Sequence, residues 1–356
     1  MSNPDPHPTE TRCTAGASGT HNVELLAPRD VPLGGLRAMN VRRTLPQRAR
    51  SLIGAWCFLD HYGPDDVAAT GGMNVPAHPH TGLQTVSWLF SGEIEHRDSA
   101  GYHATVRPGE LNLMTAGAGI SHSERSTPDT RVLHGAQLWV ALPDATRNGP
   151  KGFEHYAPPV LRGDDWSAQV FLGSLLGDTS PVATHTPLVG AEIRLDPGAA
   201  LTLDVDAAFE HGVLVDSGSV TVAAVRSSGD DSAHSCPVQP HELAYLAPGA
   251  RTIRVSAGEA GSRILLIGGP RFDEEIIMWW NLVGRSHEEV AQARSAWQAE
   301  LAAVGVGDPS THGVESSPER DTPGPGRFGL PAHEPDAPLP APKLPNARLR
   351  PRRQPR

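Results

Sequence analysis

The feature that most constrains this chain is the brevity of its apolar runs. Ser51 to Phe58, Gln84 to Phe90, Leu111 to Thr115 and Val132 to Leu142 read as short β-like stretches, and Gly or Pro breaks the chain between them. Regular turn signals between such runs predict a sandwich or barrel. A second set follows a connection over Lys151 to Asp165: Leu201 to Val205, Gly212 to Val215, Ser219 to Val222, Thr252 to Val255 and Arg263 to Ile267. Several alternate cleanly, as half-buried strands do. The length of 356 residues suits two domains, and 37 Gly with 34 Pro against 5% aromatic residues suits a turn-rich β architecture with disordered ends.

Two short motifs carry the chemistry. His78-Pro79-His80 and His122-Ser123-Glu124 supply three imidazoles and a carboxylate as two i, i+2 pairs. In a strand, side chains two apart share a face, so each pair can aim two ligands at one point. One such pair alone could be polar residues of a surface loop; two strands so equipped could hold one metal ion. Imidazole with carboxylate suits Fe, Mn, Co, Ni, Cu or Zn better than Mg or Ca. Glu124 has a plainer alternative, a surface ion pair with Arg125. His61, His96, His103 and His134 have no partner at ligand spacing and are read as loop or outer residues. In Thr85 to Phe90 the bulky even-numbered residues share parity with His78 and His80. Without a bulge at Gly82, Val86 and Trp88 would face the same interior as the ligands.

The stretch Gly71 to Ser99, with Pro76-Ala77-His78-Pro79-His80-Thr81-Gly82 at its centre, resembles the first cupin motif as the pirin family writes it. Arg107 to Glu110, Met114 to Ile120 and Ser121 to Glu124 resemble the second pirin segment. The resemblance implies His78, His80, His122 and Glu124 as ligands of one divalent metal, iron first. Gln84 and Thr81 depart from the Glu and Arg of many relatives, which touches the ligands' surroundings and not their number. The second half resembles the C-terminal cupin of pirins, making an all-β bicupin: an N-terminal metal-binding cupin over 23–150 and a C-terminal cupin over 165–270. In that second half Glu210-His211 and His241-Glu242 are adjacent pairs, which a strand sends to opposite faces, so no second metal is expected there.

Beyond Gly268-Gly269-Pro270 the period changes, and 271–302 is expected to hold a helix. Ser286-His287-Glu288-Glu289 is a capping-box sequence, with Val290, Ala293, Trp297 and Leu301 at helical spacing after it. Ile276 to Asn281 resembles another pirin segment. Residues 1–22 read as a disordered arm without a signal peptide's charged start and apolar core. Residues 303–356 read as a Pro-rich, basic-ended tail, disordered or clamp-like, and dispensable for chemistry. Cys13, Cys57 and Cys236 have no CxxC spacing, which argues against a disulfide framework. The absence of a twenty-residue apolar run argues against a membrane span, the net charge of −10 against a general nucleic-acid surface, and the expected location is the cytoplasm.

The resemblance to pirins implies a quercetin 2,3-dioxygenase-like enzyme. A flavonol or related enolic aromatic and O2 would be its substrates, with ring cleavage and loss of carbon monoxide, and Glu124 as both ligand and base. The alternative from the same resemblance is a non-enzymatic iron protein, acting as a transcriptional cofactor or through a metabolic enzyme as protein partner.

Overall fold

The computed structural model describes residues 11–13, 23–33, 39–225, 235–306 and 326–351. They form two barrel-like β domains and a C-terminal helix. In the first domain a seven-stranded antiparallel sheet runs in the order Gly152–Tyr156, Leu111–Thr115, Leu83–Ser91, Val132–Ala141, Trp56–Asp66, Met39–Leu45, Arg29–Leu33. A four-stranded sheet, Asn74–His80, Ile120–Ser126, Ile94–Asp98, His103–Val106, closes over it. Met39, Val41, Tyr62 and Leu89 from one sheet pack with Val75, Ile94 and Val106 from the other.

The second domain is organised by two long strands, Phe209–Val225 and Thr252–Pro270, which pair along most of their lengths through two register shifts. Length and bending let Thr252–Pro270 pair with Val189–Leu195 at one end and Ala200–Asp204 at the other. Alternation along Phe209–Val225 divides its side chains. Val213 and Val215 fill the second barrel, while Leu214 joins a core shared with Trp56, Phe58 and Trp139 of the first.

That shared seam is also polar. Trp88 Nε1 donates to Glu192 Oε2 at 2.7 Å, Trp56 Nε1 to the Gly268 carbonyl at 3.1 Å, and Gly54 N to Glu210 Oε2 at 2.8 Å. Gly54 has φ +54°, and a Cβ there would stand 2.8 Å from Gly269 Cα, so backbone meets backbone where a side chain would hold the domains apart. At the seam's other end Asp216 Oδ1 lies 2.7 Å from His61 Nε2 and 2.6 Å from His134 Nε2, with Arg263 Nε 2.7 Å from Oδ2. Burial alone would raise the Asp216 carboxyl. Hydrogen bonds from His134 and His61 outweigh it and hold the group well below the usual carboxylate range.

Several expectations change. Val23–Leu26, taken as the start of the first cupin, pairs with Leu243–Leu246 in the second domain's sheet. The connection over 151–165 is partly strand: Gly152–Tyr156 extends the first domain's sheet and Leu161–Arg162 the second's. Thr11–Cys13 of the expected arm pairs with Ile276–Met278; residues 1–10 and 14–22 lie outside the described residues. Val86 and Trp88 do not share the ligands' interior. Gly82 takes φ +67°, which changes the phase of the strand: Trp88 turns to Glu192 and Phe171 of the second domain, and Ser87 turns inward.

The helix forms as the spacing predicts, over His287–Ala303, with Val290, Ala293, Trp297 and Leu301 buried and Ser286 Oγ accepting from Glu289 N at 3.2 Å. Of the two forms expected for the tail, disordered or clamp-like, the described residues take the clamp-like one. Residues 326–351 lie as a strap across the helix and the outer face of the four-stranded sheet, with Phe328 and Leu349 buried; 307–325 and 352–356 are outside the described residues. Trp297 Nε1 donates to the Leu339 carbonyl at 2.8 Å, and Leu339 N donates to the Ala77 carbonyl at 2.7 Å on the sheet's edge strand. Arg125 pairs with Glu334 and Asp336.

Whatever its part in the chemistry, the strap should contribute to stability. Ending the chain at residue 325 removes Phe328 and Leu330, each worth about 1.5–3 kcal/mol when buried, and exposes Trp297. A lower urea midpoint than the parent's is the expected outcome; an unchanged midpoint would show the strap to be passive.

Candidate metal centre

The edge strand Asn74–His80 contains Pro76 and Pro79, residues that donate nothing to a ladder and are tolerated at sheet edges and bulges. Ile120–Ser126 pairs beside it, placing His122 opposite His78 and Ile120 opposite His80. The register then slips, because Glu124 faces Val75: the edge strand holds one extra residue in a bulge next to Pro76. Alternation turns His78, His80 and His122 inward, while Ser121 on the other face donates to the Gly329 carbonyl of the strap at 2.6 Å.

All three rings are fully buried, and their ligand-type nitrogens lie within 4.8 Å of one another. Each ring has its Nδ1 committed. His78 Nδ1 donates to the Pro76 carbonyl at 2.9 Å and His80 Nδ1 to the Asn281 carbonyl at 3.0 Å. His122 Nδ1 sits 3.4 Å from His96 Nδ1, and His96 Nε2 donates to Asp98 Oδ2 at 3.2 Å. With its proton on Nε2, His96 accepts at Nδ1, which puts the His122 proton on Nδ1 as well. Every Nε2 is thus left with a bare lone pair, and those of His80 and His122 face each other at 3.0 Å, where neither can donate. His78 Nε2 is buried with no hydrogen-bond partner. Three converging lone pairs suit a divalent transition ion.

Electrostatics favour the ligand form of each ring. Burial lowers the His78 pKa to about 4, against the pull of the Pro76 carbonyl and Glu124. His80 and His122 are pushed well below the ordinary imidazole value by burial first and by their neighbouring His78 next.

Glu124 is fully buried, so the alternative of a surface ion pair with Arg125 fails. Its Oε1 accepts from Ser87 Oγ at 3.3 Å, and its carboxylate groups with His96 and His122 within 4.8 Å. The carboxylate therefore flanks the three-imidazole cluster on the His122 side. Trp139 presents an edge to His80 at 5.2 Å between ring centres. Gln84 donates to Thr115 Oγ1 at 2.9 Å, and Thr81 Oγ1 donates to the Val283 carbonyl at 3.0 Å; neither bonds a candidate ligand.

His96, read as a loop or outer residue, is an outer one that sits on a strand between His122 and Asp98; what the sequence reading missed is its partner. His96-Arg97-Asp98 has the same i, i+2 spacing as the ligand pairs, and that was the available signal. His61 and His134 are strand residues of the seam and not loop residues, and with Asp216 they form another ligand-type group. A cation there would have to displace the donors that already meet both Asp216 oxygens. His103, also on a strand, bonds Glu95 at 2.7 Å at the surface. Glu210 and His211 do point to opposite faces: Glu210 accepts from Gly54 N and Tyr245 Oη at the seam, while His211 turns into the second barrel.

Comparison with known proteins now decides the family. The Pirin family model matches residues 37–140 and the model of the pirin C-terminal cupin domain matches residues 190–301. The chain belongs to the pirin family. A Pseudomonas aeruginosa protein named "Putative quercetin 2,3-dioxygenase PA1205" is 40% identical to this pirin, over 82% of its chain and 90% of the relative. A pirin-like protein of Caulobacter vibrioides is 34% identical over 73% of this chain and 88% of its own. Among solved structures, quercetin 2,3-dioxygenase from Acinetobacter baumannii superposes with a TM-score of 0.73 at 34% identity, covering 91% of this chain and 96% of its own. A bacterial pirin from Escherichia coli in complex with nickel(II) shares the fold, with a TM-score of 0.54 at 18% identity. In this pirin no helix among the described residues is long and apolar enough to cross a membrane.

The lowered imidazole pKa values give the centre a defined pH response. Protons compete with metal for a free imidazole below about pH 6.5, but for His78 only as pH falls toward about 4. Protein loaded with a divalent metal should keep it at about pH 5 and release it only at or below about pH 4, as followed by elemental analysis after dialysis. In the metal-free protein the sign is that of a depressed base. The unfolded chain takes up protons first, so stability is intact above about pH 6.5 and declines between there and about 4.

Proposed function

We propose that this pirin is a metal-dependent dioxygenase that opens the ring of a flavonol or a related enolic aromatic, with His78, His80, His122 and Glu124 as the metal's ligands. The observation that carries the reading is the set of three buried Nε2 lone pairs converging beside a buried carboxylate. Relatives named for quercetin 2,3-dioxygenase supply the reaction class. A divalent ion held there, iron first and otherwise Mn, Co, Ni, Cu or Zn, would act as template and Lewis acid for an enolate and O2.

The chain's own residues do the rest. In this reading Glu124 accepts the substrate's hydroxyl proton, leaving an anion electron-rich enough to meet O2. The Ser87 hydroxyl steadies Oε1 of that carboxylate. Asp98, through His96, fixes the ring of His122. The edge of Trp139 walls the His80 side and limits access of water, which protects reactive species from hydrolysis.

A second reading draws on the same burial. No candidate ligand is exposed, as suits a centre that serves folding or redox sensing in a protein that acts by binding a partner. Oxygen uptake separates the two. With iron loaded, the parent should consume O2 with quercetin or another member of a panel of enolic aromatics; a full complement of iron with no uptake on any of them favours the regulator.

Replacing Glu124 with Gln keeps an oxygen donor of similar shape and removes the proton acceptor. Metal should be largely retained, while turnover falls by about 10²–10⁴-fold, the usual loss when a general base is removed. Parental turnover with metal bound would place the base elsewhere.

A further inference from the structure

The second barrel holds an imidazole that no contact explains. His211 is 1% exposed, and neither ring nitrogen has a hydrogen-bond partner. A buried polar atom left unpaired costs about 1–3 kcal/mol, so a group of this kind implies a partner that arrives from outside the chain. The ring lines a cavity of about 350 Å³ at one end of the barrel, open to solvent, within the range of small-molecule sites. Leu175, Leu188, Val189 and Phe209 give that cavity apolar walls, and Asp204 and Asp206 stand exposed among its lining residues.

The walls select the chemistry of an occupant. Other hydroxyls of the cavity are engaged already, Ser174 with Thr179 at 2.9 Å and Thr184 with the Thr186 carbonyl at 2.7 Å. His211 thus offers the one free polar contact among these groups. Burial holds its pKa down at about 4, with Asp206 pulling the other way, so the ring is neutral and can accept a hydrogen bond. A carboxylate ligand would meet Asp204 and Asp206 at the mouth. An ammonium group would be held by those acids and leave His211 unmet, or would be stripped of water to reach it. A neutral ring compound with one hydroxyl satisfies the imidazole and the apolar walls together.

We infer that the cavity around His211 in the C-terminal barrel is a binding site for a small neutral phenol, separate from the metal centre. The occupant's O–H donates to His211 and its ring lies against Leu188 and Phe209. The site does not rest on the dioxygenase reading, because its lining residues all belong to 173–211 and none is a candidate metal ligand.

Phenol itself is the probe, followed by ligand-observed NMR titration against the full chain. One saturable site per chain is expected, kept in a His78→Ala, His122→Ala variant. Affinity should fall by about tenfold in His211→Leu, the loss of one hydrogen bond. Ser174→Trp, at an exposed position on the mouth, should block binding without touching the core, and it guards against a His211 variant that misfolds. Benzoate and benzylamine should bind more weakly than phenol. Three results would each overturn the inference: no saturable binding of phenol at millimolar concentration, parental affinity in both His211→Leu and Ser174→Trp, or loss of binding in the metal-site variant.

Discussion

The centre depends on three hydrogen bonds that each take up one nitrogen of an imidazole and leave the other bare. Their acceptors come from separate places: the Pro76 carbonyl in the edge-strand bulge, the Asn281 carbonyl in a hairpin two hundred residues on, and His96 on the next strand. Without them each ring could turn its N–H inward, and the 3.0 Å approach of His80 and His122 would become an ordinary hydrogen bond. With them the lone pairs must converge. That arrangement is unfavourable in an empty protein and favourable around a cation, so the fold itself is biased toward metal.

Because Asn281 anchors His80, the C-terminal segment belongs to the site as much as the motif strands do. The hairpin of Ile276–Trp279 and Leu282–Gly284 is pinned beneath the helix, and the strap caps the helix and the ligand sheet together. Arg125, next in sequence to Glu124, is tied to Glu334 and Asp336 of that strap. The Arg125 and Glu334 side chains are largely buried and only Asp336 is exposed; ion pairs of this kind are by themselves a weak source of stability. Here they accompany a backbone hydrogen bond to Ala77 and buried Phe328, so the outer face of the ligand strands is held by packing and the charges fix the register.

How much of this was legible follows from how local each signal is. The convergence of the three candidate imidazoles could be read because strand alternation is a two-residue rule, and the helix could be read because its cap and stripe lie within one short segment. Trp88 was placed on the candidate ligands' side only on the condition that Gly82 made no bulge; its positive φ changes the phase of everything after it, and a glycine permits such a turn without requiring it. Val23–Leu26 has a strand's pattern, but alternation does not say which sheet a strand will join. The strap could be read only as one of two alternatives, disordered or clamp-like. Pro-rich chain without periodicity looks disordered, yet it can lie in a groove that distant elements create, and here the groove between helix and edge strand supplies donors and apolar cover.

The seam between the barrels and the metal centre are two faces of one strand. In Leu83–Ser91, Trp88 faces outward to Glu192 and Phe171 of the second domain, and Ser87 faces inward to Glu124. A strand cannot tilt one face without the other, so the second barrel serves the first as a rigid backing. This gives the buried Asp216 cluster a reason to persist although ionic groups in a core are costly. His61 and His134 sit on Trp56–Asp66 and Val132–Ala141, and the latter strand pairs directly with Leu83–Ser91. Fixing those two strands to Asp216 fixes the sheet on which Ser87 and Trp139 are carried, and through them the surroundings of Glu124 and His80.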